Sequence, residues 1–173
     1  TSKYGKGATG NADFGYWSGG GNPTVSTVDR LDYSNDTATA AVKGPLVQSR
    51  QQHSGSSSRM NGNPLKGPGN LEVPVSFGNV ANPLPDFGYF ANGSAPGGRR
   101  TTVDRIDYSK DTATAEYKSS TTAATYLSNG AASNNTHAYF MGGFTTANIS
   151  NVERMAFTNG STMPVPKGPL VYP

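Results

Sequence analysis

The chain contains the stretch Tyr16-Trp17-Ser18-Gly19-Gly20, followed after a short loop by Val28-Asp29-Arg30-Leu31-Asp32-Tyr33. An aromatic segment that ends in small residues, then a segment whose residue types alternate by twos, is typical of two β-strands joined by a loop. Nearly the same pattern occurs twice more, in Tyr89-Phe90-Ala91-Asn92-Gly93 with Val103-Asp104-Arg105-Ile106-Asp107-Tyr108, and in Tyr139-Phe140-Met141-Gly142-Gly143 with Val152-Glu153-Arg154-Met155-Ala156-Phe157. The chain is therefore built from repeats.

The spacing of the second and third copies defines a unit of about 50 residues, a period typical of solenoids, propellers and arrays. In the first two copies the second strand is followed by an Asp-rich turn, Asp32 to Thr37 and Asp107 to Thr112. Asp and Asn in such turns bond to nearby backbone amides and end a strand. Since no segment shows helical periodicity with caps, the sequence predicts an all-β protein of antiparallel four-stranded sheets.

We expect one repeat-built β domain over residues 1–173, with three units and one insertion. The units are assigned to approximately 12–47, 86–120 and 136–173, with residues 1–11 completing the third unit, and the insertion or degenerate half repeat to approximately 48–85. Three units are fewer than a closed ring of sheets requires. The units are therefore expected to belong to a larger ring or assembly.

Composition excludes several classes of function. The net charge is only +3, from 14 basic and 11 acidic side chains, and the basic residues are scattered rather than clustered as on a nucleic-acid surface. The absence of cysteine excludes disulfides, thiolate metal sites and a cysteine nucleophile. No apolar run approaches the roughly 20 residues that a membrane-spanning helix needs, so no membrane span is expected.

Residues that recur in every copy are interpreted as structural. Adjacent strand residues point to opposite faces, so each repeated Arg is expected to pair with a carboxylate or carbonyl of a neighbouring strand or sheet rather than with the acid beside it. An active site would need one copy, whereas these residues occur in up to three. The positions assigned to structure are Gly19, Gly20, Arg30, Arg105, Gly142, Gly143 and Arg154.

The loop between the first two strands of each copy varies in length and content. Binding function tends to lie on such loops, above a rigid scaffold. Partner-binding residues are accordingly predicted at Asn22, Thr24, Arg99, Arg100, Phe144 and Asn148. His53 and His137 are the only histidines, and neither lies in a triad pattern. No catalytic residue, metal ligand or cofactor is assigned.

The order of an aromatic strand ending in Gly-Gly, a variable loop, and a strand that ends in Tyr or Phe before an Asp/Thr turn resembles the kelch repeat of β-propellers. The resemblance covers Tyr16 to Thr39, Tyr89 to Thr114 and Tyr139 to Thr158. The residue sequence of the first copy is also similar to kelch-like arrays in predicted virion and tail proteins of marine tailed phages. Ala40 and Ala115 stand in the region where the kelch pattern has a Trp, so the packing of the sheets is expected to differ.

The resemblance implies a non-enzymatic component of a phage virion, such as a tail fibre or surface decoration. Its expected partners are other virion or assembly subunits, as a homo-oligomer, and a host surface glycan, and its expected location is the virion or the extracellular space. Two alternatives remain open. One is a secreted kelch-like propeller with carbohydrate-binding or carbohydrate-active function, and the other is a structural subunit of an extracellular filament or lattice.

Overall fold

The computed structural model describes residues 3–58, 87–134, 136–159 and 162–171. These residues form three four-stranded antiparallel sheets and one small hairpin. Sheet 1 consists of β1 (Gly7–Gly10), β2 (Phe14–Ser18), β3 (Val28–Asp32) and β4 (Ala41–Lys43). Sheet 2 consists of β5 (Ser54–Ser57), β6 (Phe87–Ala91), β9 (Thr102–Asp107) and β10 (Glu116–Ser120), and the hairpin β7 (Ser94–Ala95) and β8 (Gly98–Arg99) lies between β6 and β9. Sheet 3 consists of β11 (Tyr126–Ser133), β12 (His137–Phe144), β13 (Val152–Ala156) and β14 (Val165–Lys167).

The prediction of an all-β protein with antiparallel sheets is confirmed. The described residues contain no α-helix, only short 3-10 turns at Tyr33–Asn35, Tyr108–Lys110 and Phe157–Asn159. Each of these turns follows the Val-acid-Arg strand of its copy. In the first two, the preceding Asp accepts a hydrogen bond from the backbone amide two residues later, which starts the turn.

The pairing of the first strands differs from the expected split of a unit between the two chain ends. Residues 1–11 were predicted to complete the third unit, but β1 pairs with β2 in sheet 1, where Gly7 lies opposite Ser18. Sheet 3 takes its four strands from Tyr126 to Lys167. Every sheet begins with a strand that precedes the aromatic strand of its copy. In sheets 1 and 2 this first strand consists of small residues without hydrophobic alternation, so the sequence pattern does not show which sheet it joins.

The expected insertion at 48–85 is therefore partly a strand, because β5 supplies the first strand of sheet 2. The remainder of that interval, from residue 59 onward, lies outside the described residues. The first strands of the three sheets lie side by side, β1 next to β5 and β5 next to β11. At Gly55 the approach is so close that a methyl group would collide with the carbonyl oxygen of Ala8.

Sheet 2 is covered on both faces, because alternate residues of its strands point to opposite sides. One face joins sheet 1 in a core that contains Tyr16, Val28, Leu46, Phe90, Ile106, Tyr108 and Ala115. The other joins sheet 3 in a core that contains Tyr89, Ala91, Val103, Ala138, Phe140, Met155 and Phe157. The three sheets therefore stack in chain order.

The acid of each Val-acid-Arg strand holds the segment that leads into the first strand of its own sheet. Asp29 accepts a hydrogen bond from Lys6 Nζ at 2.8 Å, and Glu153 accepts hydrogen bonds from the backbone and hydroxyl of Thr122. Asp104 pairs with Arg50, whose Nη2 lies 2.6 Å from Asp104 Oδ2, and both side chains are 0% exposed. Burial raises the pKa of Asp104 and lowers the pKa of Arg50, and the contact between them opposes both shifts.

Replacement of Asp104 by Ala should lower the free energy of unfolding by about 3–5 kcal/mol, because it leaves the buried Arg50 guanidinium without its ionic partner. Urea unfolding at neutral pH measures the change. Glu116→Ala is the matched control, since Glu116 pairs with Arg105 and Lys118 at an exposed site and its removal should cost less than about 1 kcal/mol. Equal losses for the two variants would contradict a special role for the buried pair.

Candidate functional site

The three variable loops follow β2, β6 and β12, the aromatic strands of the three sheets. They leave equivalent strands at equivalent ends, and their glycines tie them to the neighbouring sheet. The Gly20 amide donates a hydrogen bond to the carbonyl of Arg50, ahead of sheet 2, and the Gly93 amide donates one to the carbonyl of Thr125, ahead of sheet 3. Gly19 and Gly20 have φ of 63° and 113°, values that an L side chain rarely adopts.

Two of the predicted loop residues come together through a residue that the sequence did not single out. The Arg99 guanidinium lies over the ring of Tyr126, 5.0 Å from its centroid. The Tyr126 ring in turn meets the Phe144 ring edge to face, with centroids 5.7 Å apart and an interplanar angle of 89°. Arg99 is exposed and both rings are half-buried. We call these three residues the loop platform.

The other predicted loop residues take separate places. Asn22 is exposed, and its carbonyl accepts a hydrogen bond from Lys3 Nζ at 3.4 Å. Thr24 is half-buried in the same loop. Arg100 donates to the carbonyl of Pro96 and so holds its own loop, and Asn148 is exposed and forms an isolated bridge with Phe144. Of these four, Asn148 is the one joined to the platform among the described contacts.

Sequence reasoning missed Tyr126 because the copies were compared only from the aromatic strand onward. Its register equivalent in sheet 1 is Tyr4, which bridges Gly21 as Tyr126 pairs with Phe144. Tyr126 begins β11, the first strand of sheet 3, at a position that the repeat comparison did not cover. The available signal was its isolation, as an aromatic residue within a run of Thr and Ala. A search for aromatics outside the repeat would have found it.

The repeated arginines are placed in three different surroundings. Arg30 donates to Asp111, which belongs to the turn of sheet 2, at 2.8 Å. Arg105 donates to Glu116 on the neighbouring strand β10 at 2.7 Å. Arg154 is half-buried and has no ionic partner within the described part of the chain. Arg30 and Arg105 thus bond to an adjoining sheet and an adjoining strand.

The Arg30 contact also ties a buried tyrosine to the second sheet. The hydroxyl of Tyr16 donates to the same Asp111 carboxylate at 3.0 Å. Burial, and then this hydrogen bond, raise the pKa of Tyr16 far above its ordinary value. Tyr16 is therefore a neutral hydrogen-bond donor, and the cluster holds sheet 1 on sheet 2.

His53 is enclosed beside a serine. Its Nε2 lies 2.8 Å from Ser18 Oγ, and its ring meets that of Phe90 edge to face. Burial, and then the charge of Arg50, lower the pKa of His53 to about 3. Its Nδ1 has no hydrogen-bond partner among the described residues, so the third group that orients the base of a catalytic triad is missing there. The pair is a buried hydrogen bond between neutral groups.

His137 lies at the surface end of sheet 3, where Nδ1 contacts the Thr136 hydroxyl at 2.7 Å. The Asp32 turn, whose spacing faintly resembles a calcium loop, is closed by its own side chain, which accepts from the amide and hydroxyl of Ser34. These two hydrogen bonds lower the pKa of Asp32. Within the residues that the structure describes, no three His, Asp or Glu side chains come together as metal ligands would.

Comparison of the chain with protein-family models finds no match, and comparison with curated proteins finds none. In the described ranges, no helix combines the length and the apolar character needed to cross a membrane. The geometry of the sheets and loops is therefore the basis for a functional proposal.

The buried His53 should make stability depend on pH. Its pKa in the folded protein, about 3, lies below the ordinary value of 6.5, so the unfolded chain takes up a proton below pH 6.5 while the folded chain does not. The free energy of unfolding should then fall by up to about 1.4 kcal/mol per pH unit between pH 6 and 4.5. Urea unfolding across this range measures the slope.

Two histidine variants separate this effect from general acid sensitivity. His53→Gln should reduce the slope by close to one proton, and His137→Gln is the control substitution of a surface histidine. If the slope survives in His53→Gln, the imidazole is not buried as a neutral group.

Proposed function

We propose that this protein is a non-enzymatic binding protein, and that the loop platform is its binding surface for carbohydrate. The observation that carries the proposal is the contact of Arg99, Tyr126 and Phe144, which joins the loops of two successive sheets. The three side chains combine apolar ring surface with a hydroxyl and a guanidinium, which is the mixture of a flat apolar wall and a few polar groups found in ligand sites.

Carbohydrate suits this surface for chemical reasons. A sugar ring has an apolar face of C–H groups that packs on aromatic rings, and a rim of hydroxyl groups that accept hydrogen bonds from Tyr and Arg. The Arg99 fork donates to a carboxylate or a sulfate through two parallel bonds. Acidic glycans are therefore the favoured class.

The three stacked sheets are proposed to be kelch-like propeller blades. The sequence resemblance supports this, as do the side-by-side first strands β1, β5 and β11, since the first strands of propeller blades surround a common axis. In this architecture the loop platform lies at one end of the ring. Loops on a rigid β scaffold are the usual place for binding function.

The non-enzymatic reading is supported by the polar interior. The repeated acids bind backbone segments and basic side chains of the scaffold, and the Ser18–His53 pair is enclosed. We assign the protein to a phage virion, as a tail fibre or surface decoration, on the resemblance of its first copy. A neighbouring virion protein is the second candidate occupant of the platform, because exposed Arg and aromatic residues are also common at protein interfaces.

Glycan-array binding followed by titration tests the proposal. Tyr126→Ala should weaken binding at least tenfold, because it removes the central ring of the platform, and a tenfold change corresponds to about 1.4 kcal/mol. Arg99→Ala should weaken acidic glycans more than neutral ones. Tyr117→Ala is the matched control, since Tyr117 is also half-exposed, at 51%, but lies on β10 away from the platform.

Loss of glycan binding in Tyr126→Ala, with unchanged binding in Tyr117→Ala, would support the loop platform as the binding surface. An array on which the intact protein binds no glycan, or a Tyr126→Ala variant that binds as well as the parent, would overturn the carbohydrate assignment. Hydrolysis of a bound glycan would overturn the non-enzymatic one.

A further inference from the structure

The two junctions between sheets follow one rule. At the first, Tyr16 of sheet 1 stacks on Tyr108 of sheet 2, with ring centroids 4.8 Å apart and planes 21° apart. At the second, Tyr89 of sheet 2 stacks on Phe157 of sheet 3, at 5.3 Å and 25°. In both, the first aromatic residue of one copy contacts the aromatic residue that begins the turn of the next copy.

The rule leaves half a junction at each end of the stack. Sheet 3 has the first aromatic residue, Tyr139, and its alternation places Tyr139 on the face opposite to Phe140, which packs on sheet 2. Sheet 1 has the turn residue, Tyr33, which is 49% exposed. Neither of the two has a stacking partner of this kind among the described residues.

At the first junction an ion pair accompanies the stacked rings, and the equivalents of its two charges lie at the two free ends of the stack. Arg30 of sheet 1 reaches across the first junction to Asp111 in the turn of sheet 2. The equivalent arginine of sheet 3 is Arg154, which has no ionic partner in the described part of the chain. The equivalent turn residue of sheet 1 is Asp36, which is exposed and likewise forms no described ion pair.

The free face of sheet 1 also has the shape of an unfilled junction. It contains a pocket of about 380 Å³, lined in part by Gly10, Gly15, Trp17 and Tyr33. The matching position to Gly15 in sheet 2 is Gly88, and there a methyl group would collide with Thr9 and with the Tyr108 ring. Sheet 1 therefore covers the face of sheet 2 at Gly88, whereas the equivalent face of sheet 1, at Gly15, is open.

We propose that the free face of sheet 3 binds the free face of sheet 1 of a second copy of this chain. In this contact Tyr139 stacks on the second copy's Tyr33, and Arg154 pairs with its Asp36. The contact is head to tail, so it uses two different surfaces and repeats until the assembly closes. The described residues of two copies bring six sheets together, within the four to eight of closed propellers, whereas those of one copy form three.

The second copy is the favoured occupant because both halves of the missing junction lie on this one chain. A partner of another sequence would have to supply the same aromatic residue and the same charge in the same places. The proposal is independent of carbohydrate binding, which uses the loop platform, so the two can fail separately.

Sedimentation velocity of the full chain, between micromolar and tens of micromolar concentrations, measures the assembly. The parent chain should have the mass of two copies. Asp36→Arg and Arg154→Asp should each disperse it, because each places like charges against one another at both contacts. Arg99→Asp is the matched charge reversal in a loop and should leave the mass unchanged.

Mixing the two charge-reversal variants is the decisive experiment. When the Asp36→Arg and Arg154→Asp variants are combined in equal amounts, each contact of a mixed pair again brings one Arg against one Asp, so the two-copy mass should return. Far-ultraviolet circular dichroism and urea unfolding show that each variant is folded before mixing.

A parent chain that stays monomeric at every concentration would overturn the proposal. So would single variants that assemble like the parent, or folded variants that remain monomeric after mixing. A larger assembly that the single variants disperse and mixing restores would keep the interface and overturn closure by two copies. The glycan array, read on the dispersed variants, reports separately on the loop platform.

Discussion

In each of the three described sheets, the aromatic strand carries rings on both faces, and these rings need to be covered. Alternate residues of the aromatic strands point to opposite sides, and Tyr89 and Phe90, on the two faces of sheet 2, are both 0% exposed. Burial of such rings is the main favourable term that a chain of low hydrophobic content has available. Stacking the sheets in chain order satisfies this requirement in the middle and leaves it open at the two ends.

Polar groups inside the stack are arranged to permit that stacking. The acid at this position of the repeat accepts hydrogen bonds from three kinds of donor. Asp29 accepts from the ammonium group of Lys6, Asp104 from the buried guanidinium of Arg50, and Glu153 from the backbone amide and hydroxyl of Thr122. In each case the carboxylate binds the segment that enters its own sheet, so the first strand is held beside its neighbours. A shared position with three different partners is a structural device, since buried charges are tolerated only when they are paired or hydrogen-bonded.

The surface that we propose for binding, in contrast, lies where the copies differ. Arg99 comes from the longest of the three variable loops, and Phe144 follows a diglycine. Tyr126 lies ahead of the aromatic strand, at a register position where the first copy has Tyr4 and the second has Gln51. None of these residues is needed to hold two sheets together in the way that Tyr16 and Tyr108 are. The stacking contacts repeat from sheet to sheet, whereas the loops differ. One end of the scaffold can therefore present a distinct surface.

The sequence by itself determined the three copies, the all-β class, the alternation of the Val-acid-Arg strands, the Asp-closed turns and the positions of the variable loops. These features are local, because they depend on residue types a few positions apart. Only the tertiary structure decided which sheet each first strand joins, and there the prediction for residues 1–11 was wrong. Strands such as Gly7–Gly10 carry no hydrophobic alternation, so their place depends on backbone hydrogen bonds to a distant partner. The Arg50–Asp104 pair and the Arg99–Tyr126–Phe144 platform likewise join residues far apart in the chain, which no local pattern specifies.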